Sequence, residues 1–185
     1  MVAAERPTRP TLGAGSDQPF AVGFVAMAAN PDALYETDFY AWTRRQARGL
    51  RRLKALRLNV ELDLDHVAEE IEDLGTSQRD TCRSQVERIL EHFLKLAWSP
   101  SPQPRRGWQR SIVEARSVLD NKLSASIRRD LSQRLPRLYR SARRAAILAL
   151  EEYEEVEAAQ LLPEVCPWVL ADTLRDDWYP GPQLR

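Results

Sequence analysis

The sequence predicts an all-α protein, a bundle of four to five core helices with short extra helices and a disordered N-terminal leader. Three observations carry this. Apolar residues recur at three- and four-residue spacing through long stretches from residue 37 onward, the period of a helix with one buried face. No Val- or Ile-rich alternation of strand length interrupts them. Prolines gather in "SPSPQPRRG" and "LLPEVCPW", so they mark connections rather than element interiors.

Residues 1–30 stand apart as the leader. They begin rich in Pro, Thr, Gly and Ser, and a short apolar patch follows from Phe20 to Ala29. Asp17 before the patch, Gly23 within it and Glu5 in the long run ahead of it argue against a secretion signal. Met1 and Met27 are the two methionines, and "MAANPDALYETDFYAWTRRQ" reads as an ordinary polar entry into a helix. The expectation is that residues 1–26 are disordered or not made, with Met27 as the true start. Residues 31–180 then form one helical-bundle domain, and 181–185 a tail.

Thr37 is expected to cap the first long helix, with Asp38 in its first turn. Phe39, Trp42, Gln46, Leu50 and Leu53 supply its apolar stripe. "RLNV" ends it, and Asp63 caps a second helix over residues 64–74. On a wheel of about 100° per residue, Leu64, Val67, Ala68, Ile71 and Leu74 make that helix's stripe. His66, Glu69 and Asp73 point away from it, and Glu70 and Glu72 flank it. Gly75 is expected to interrupt, with Thr76 or Ser77 opening a helix to Trp98. Its stripe is Cys82, Val86, Ile89, Leu90, Phe93, Leu96 and Ala97, with His92 at the edge. A fourth helix runs from near Trp108 to near Asn121 on Ile112, Val113, Ala115 and Leu119. A fifth opens at Ser124 or Ser126, breaks or kinks at Pro136, and resumes through Leu148 and Ala149. A short helix from about Val169 to Arg175 precedes the tail.

The chain of 185 residues, 43% hydrophobic and 29% charged, is long and apolar enough to bury a real core. Its formal net charge of zero sets aside a protein that coats nucleic acid. Cys82 and Cys166 are too few for a disulfide framework and fit a reducing cytoplasm. No apolar run reaches the roughly 20 residues of a membrane helix.

Four constellations could carry chemistry. Cys82, Cys166, His66 and His92 are metal-ligand types, but their spacing matches no finger or ribbon, and neither histidine follows a glutamate by three. No metal or cofactor is expected. Glu70 or Glu72 could meet His92 across a helix crossing, with Trp108 and Arg116 joining. Such a cluster would shift pKa values and could work as an acid–base site; a satisfied polar network at the crossing is the plainer reading. Arginines crowd residues 44–57 and 128–144, which invites nucleic acid. Each basic run is followed by an acidic one, though, so pairing within the chain outweighs that reading. Trp168, Trp178 and Tyr179 either clamp the tail onto the bundle or form an interface, and the clamp is favoured.

"LYETDFYAWTRRQARGLR", "LDLDHVAEEIEDLG", "HFLKLAW", "RRGWQRSIVEAR" and "EVCPWVL…DDWYP" stand in an order that resembles the domain of unknown function 29 family, over about residues 34–180. These are small, mostly helical bacterial proteins. The resemblance implies the fold, and no activity, substrate or cofactor. The polar positions it carries over are Asp38, Glu69, Glu70, Glu72, His92, Lys95, Trp108 and Arg116. Leu96 stands where the family more often has an aromatic, which removes a stacking group there. The leading reading is a cytoplasmic interaction or regulatory module with a protein partner, with binding candidates Glu69, Lys95, Trp108 and Arg116. An enzyme using Glu70, Glu72 and His92 comes second, and nucleic-acid binding third.

Overall fold

The structure, a computed structural model, describes residues 31–57 and 61–183. Among them are seven helices and no strand: α1 (Pro31–Thr37), α2 (Phe39–Ala55), α3 (Leu64–Trp98), α4 (Arg105–Lys122), α5 (Ala125–Glu152), α6 (Val156–Gln160) and α7 (Leu170–Leu174). The expectations for residues 1–30, including the Met27 start, lie outside the described residues. Four long helices and three short ones match the expected all-α class. The helices α1 and α6 have no counterpart in the sequence reading.

The cap of α2 sits one residue later than expected. Thr37 closes α1, its hydroxyl donating to Ala33 O at 2.6 Å. Asp38 caps α2 instead, accepting from Ala41 N at 3.1 Å. The same carboxylate accepts from Ser124 Oγ (2.8 Å), Ser126 N (2.8 Å) and Ser126 Oγ (2.6 Å) at the start of α5. Ser124 is itself the cap of α5, as read. One carboxylate thus ties two helix N-termini together, each of which has orphan N–H groups to satisfy. Burial pushes Asp38 up, but these hydrogen bonds outweigh it and hold the carboxyl below its ordinary value.

Gly75 does not interrupt anything. The helix α3 runs unbroken for 35 residues through it. Ala68, Gly75 and Cys82, all buried, follow one another at seven-residue spacing along the seam with α2. A Cβ at Gly75 would lie 2.0 Å from Thr43 Oγ1, 3.1 Å from Thr43 Cβ and 3.2 Å from Tyr40 Cδ2. Small residues let the two backbones approach, and the glycine is there for contact rather than for a break. Across that seam α2 buries Tyr40, Thr43 and Ala47. The expected stripe of Phe39, Trp42, Gln46, Leu50 and Leu53 lies beside this face rather than on it, and Leu53 is 44% exposed. Pro136 likewise fails to break α5, which continues from Ala125 to Glu152 with the proline on an exposed position.

The core is built on the C-terminal part of α3. Val86, Ile89, Leu90, Phe93 and Leu94 are fully buried against Ile112 and Leu119 of α4 and Ile127, Leu131 and Leu150 of α5. Antiparallel to α3, α4 is fixed by Gln78 Nε2 donating to Lys122 O at 2.7 Å and by Lys95 over Trp108 near its start. In the same sense as α3, α5 is held by a two-pronged Arg83–Asp130 pair, with Nε–Oδ2 at 2.9 Å and Nη2–Oδ1 at 2.9 Å. The first fourteen residues of α3, about 20 Å of helix, project past the C-terminus of α4. There α3 and α2 form a two-helix arm.

Candidate functional site

The predicted site residues fall into three separate places. Glu69, Glu70 and Glu72 lie on the arm. Glu69 and Glu70 are exposed, and Glu72 pairs with Arg51 of α2 at 2.7 Å. Lys54 and Asp65 make a second pair between the same helices, so the basic run of α2 does meet the acidic run of α3. Both pairs are half-exposed, and each contributes under about 1 kcal/mol. His66, expected on the solvated face, is exposed there and engages Asp63 at 2.6 Å, which raises the imidazole and lowers the carboxyl.

His92 is on the same helix, 20 residues from Glu72 and 22 from Glu70. At about 1.5 Å per residue that is roughly 30 Å along the axis. A direct Glu–His acid–base pair is therefore not assembled, because one straight element carries all three residues. Burial and the neighbouring Lys95 hold the His92 imidazole neutral, its pKa pulled down to about 4. Its Nδ1 is buried without a hydrogen-bond partner, as are Gln85 Oε1 and Gln78 Oε1 one and two heptads before it. These three lie along the edge of α3 that faces α4. Beside them the buried Lys95 ammonium donates to Glu91 at 2.6 Å and sits 5.7 Å from the Trp108 ring centre. So Lys95 and Trp108 do come together, with Glu91 as a partner the sequence reading did not name. A glutamate just ahead of the HFLKLAW motif, four residues before its lysine, is the signal available in sequence.

Arg116 joins neither group. It is 3% exposed, and its guanidinium donates to Thr173 O (3.0 Å), Asp176 O (2.7 Å), Trp178 O (2.9 Å) and Asp172 O (3.4 Å). Its planar fork gathers the open carbonyls where α7 ends. The Phe93 and Tyr179 rings lie 5.7 and 5.3 Å from it. Trp168 and Trp178 each meet Phe93 edge-on at 5.2 Å. Arginine and tryptophans together clamp the tail into the core between α4 and α5. Tyr139 adds to this, its hydroxyl donating to Pro163 O at 2.6 Å.

Among the described residues no group of three or more His, Cys, Asp or Glu is placed to hold a metal ion. Cys82 and Cys166 are both free thiols, and burial pushes Cys82 up to about 11. No described helix is long and apolar enough to cross a membrane.

What the arm does present is an uncovered apolar edge. On α3, Val67 is 37% and Leu74 58% exposed, with Ile71 half-buried between them. On α2, Leu53 is exposed, and Leu50 and Gln46 are half-buried. These are the outer members of the two predicted stripes. No described element packs over them.

The curated proteins include no match to this chain. Among solved structures, an alpha-helical protein of unknown function from Rhodospirillum rubrum is similar, 29% identical with a TM-score of 0.68, covering 77% of this chain and 90% of that one. The family described as domain of unknown function DUF29 matches residues 34–179, which take in the arm, the Lys95–Trp108 contact and the Arg116 clamp alike. This chain belongs to the DUF29 family.

Proposed function

We propose that this protein is a cytoplasmic interaction module whose docking element is the α2–α3 arm. One observation supports this reading above the others: apolar side chains that follow a helical stripe in sequence stay exposed where the arm outruns α4. A folded chain rarely leaves a contiguous apolar edge to water unless something else covers it. Two free thiols fit a reducing compartment. The acid–base reading loses its support, since Glu70 and Glu72 stand roughly 30 Å from His92. Exposed arginines do line α5, but Glu87 and Asp130 lie among them, with Asp130 bound to Arg83 and Arg134. That mixed surface favours a protein partner over a nucleic acid.

The test is co-purification from the source cells with and without nuclease, comparing wild type with Leu53→Glu/Leu74→Glu. Both positions are already exposed, so the variant keeps its helical circular dichroism. A stoichiometric protein retained by wild type and lost by the variant is the expected result. A partner that survives in the variant, or one removed by nuclease, would overturn the reading.

A further inference from the structure

Resting on the arm as docking element, we infer the kind of partner it takes: a single amphipathic helix with acidic residues along one edge of its apolar stripe and basic residues along the other. The structure itself contains the pattern for such an occupant. On the core part of α3, the edge facing α4 is covered by that helix, antiparallel, with Lys95 over Trp108 near its start. Where α4 stops, Gln78 holds its last carbonyl at 2.7 Å. The same edge of α3 then continues through Leu74, Ile71 and Val67, where no other described element covers it.

The contacts between α2 and α3 decide which way the α2 stripe faces. Thr43 against Gly75 and Arg51 against Glu72 set an antiparallel pairing. At about 100° per residue, the Gln46–Leu50–Leu53 edge of α2 then points to the same side of the arm as the Leu74–Ile71–Val67 edge of α3. Two apolar edges side by side make a groove one helix wide, in line with α4. Helix-in-groove docking uses this geometry, with anchors at three- and four-residue spacing.

Charge defines the occupant further. The outer rim of the groove on α2 carries Arg52, exposed, and the outer rim on α3 carries Glu70, exposed, with Asp63 one heptad before it. A helix in the groove meets positive charge along one flank and negative charge along the other. An occupant with like charge on both flanks is repelled on one of them whichever way it runs, while one with a flank of each sign can always choose the direction that pairs both.

The experiment uses the full chain and three synthetic 18-residue helical peptides with one leucine stripe, labelled for fluorescence anisotropy. One has a glutamate flank and a lysine flank, one has glutamate on both, and one has lysine on both. The mixed peptide is expected to bind at least about tenfold more tightly than either of the others at low salt, and the preference to shrink as salt rises. Leu53→Glu/Leu74→Glu should abolish its binding. Equal binding of all three peptides, or binding untouched by that variant, overturns the helix proposal. So does a wild-type mass near twice 21.2 kDa that the variant halves, which would name a second copy instead. So does a groove that binds only after residues 1–30 are removed, which would name the chain's own leader. In those last two outcomes the arm still docks something. A wild type with no association that depends on Leu53 and Leu74 would sink both readings together.

Discussion

Replacing Gly75 by alanine sets two magnitudes against each other. Alanine in a helix interior is favoured over glycine by about 1 kcal/mol, so by propensity alone the change stabilises α3. Against it stands the α2 seam. The new Cβ would fall 2.0 Å from Thr43 Oγ1, more than 1 Å inside contact, with Thr43 Cβ and Tyr40 Cδ2 at 3.1 and 3.2 Å behind it. Thr43 is fully buried, β-branched and tied by its hydroxyl to Tyr40 O at 2.9 Å, so it has little room to turn away. The helices must part, and overpacking of this kind costs about 1–3 kcal/mol. The upper end applies here, and the net expectation is a loss of about 1–2 kcal/mol. Gly49, on the exposed side of α2, has nothing within 4 Å of its added Cβ. Gly49→Ala should therefore gain up to about 1 kcal/mol, and the two variants should move in opposite directions in urea denaturation followed at 222 nm. For a chain this long each kcal/mol is about 2–4 °C in Tm. In a Thr43→Ala background the Gly75→Ala loss should shrink to near zero, since only the milder Cβ and ring contacts at 3.1 and 3.2 Å remain. If Gly75→Ala stabilises the wild type as Gly49→Ala does, the close approach of α2 and α3 is wrong.

Three further perturbations follow from the same structure. Arg116→Ala leaves the Asp172, Thr173, Asp176 and Trp178 carbonyls without their donor; we expect a loss of about 3 kcal/mol or more. Near-UV circular dichroism should lose its tryptophan signal first, and Arg116→Lys should not restore it, because one ammonium cannot span four carbonyls. His92 makes stability fall with acid. Its folded pKa, about 4, lies below the ordinary 6.5, so the unfolded chain binds the proton first and stability drops as pH goes from about 6.5 toward 4. His92→Gln should flatten that part of the urea-midpoint profile, and an unchanged slope would refute it. Asp38 acts lower on the scale. Its folded carboxyl lies below the ordinary 3.8, so its contribution is present above that value and lost as pH falls through the folded pKa. Asp38→Asn should remove that last acid-sensitive step and cost about 1–2 kcal/mol at neutral pH, because its amide oxygen can still cap α2 but its amide nitrogen cannot accept from Ser126 N.

The long helices were legible because each carries its own apolar period and cap. Asp63 and Ser124 were read correctly, and so was the α3 stripe from Cys82 to Ala97. The errors share a cause. Gly75 and Pro136 are helix breakers by propensity, yet each sits inside a long helix whose tertiary packing outweighs a local cost of about 1 to 3 kcal/mol. Arg116 stands out in sequence as a binding candidate because of its motif. Nothing in sequence spacing reveals that it binds backbone carbonyls some 60 residues later, since carbonyls carry no residue identity. The pairing of Lys95 with Trp108 was within reach for the opposite reason, as both are side chains in motifs predicted to lie on neighbouring helices.

The stripes of α2 and of the first part of α3 failed in a more informative way. A helical wheel finds the side that avoids water, and it found Leu50, Leu53, Val67, Ile71 and Leu74 on that ground. The fold buries a line that shares only Ala68 with those stripes; its other members, Tyr40, Thr43, Ala47 and Gly75, are largely small or hydroxyl-bearing residues that a hydrophobicity pattern passes over. Two helices packed along a seam of small residues bring their backbones close, which turns their larger apolar residues outward to either side of the seam. If both stripes had pointed to opposite sides, each would be an isolated leucine row, unremarkable on a protein surface. Antiparallel pairing instead puts them on one side, in line with α4 and past its end. The disagreement between periodicity and burial is then a property of the arm itself: a seam of small residues takes the buried face of both helices, and the larger apolar residues of both are turned to one side of it.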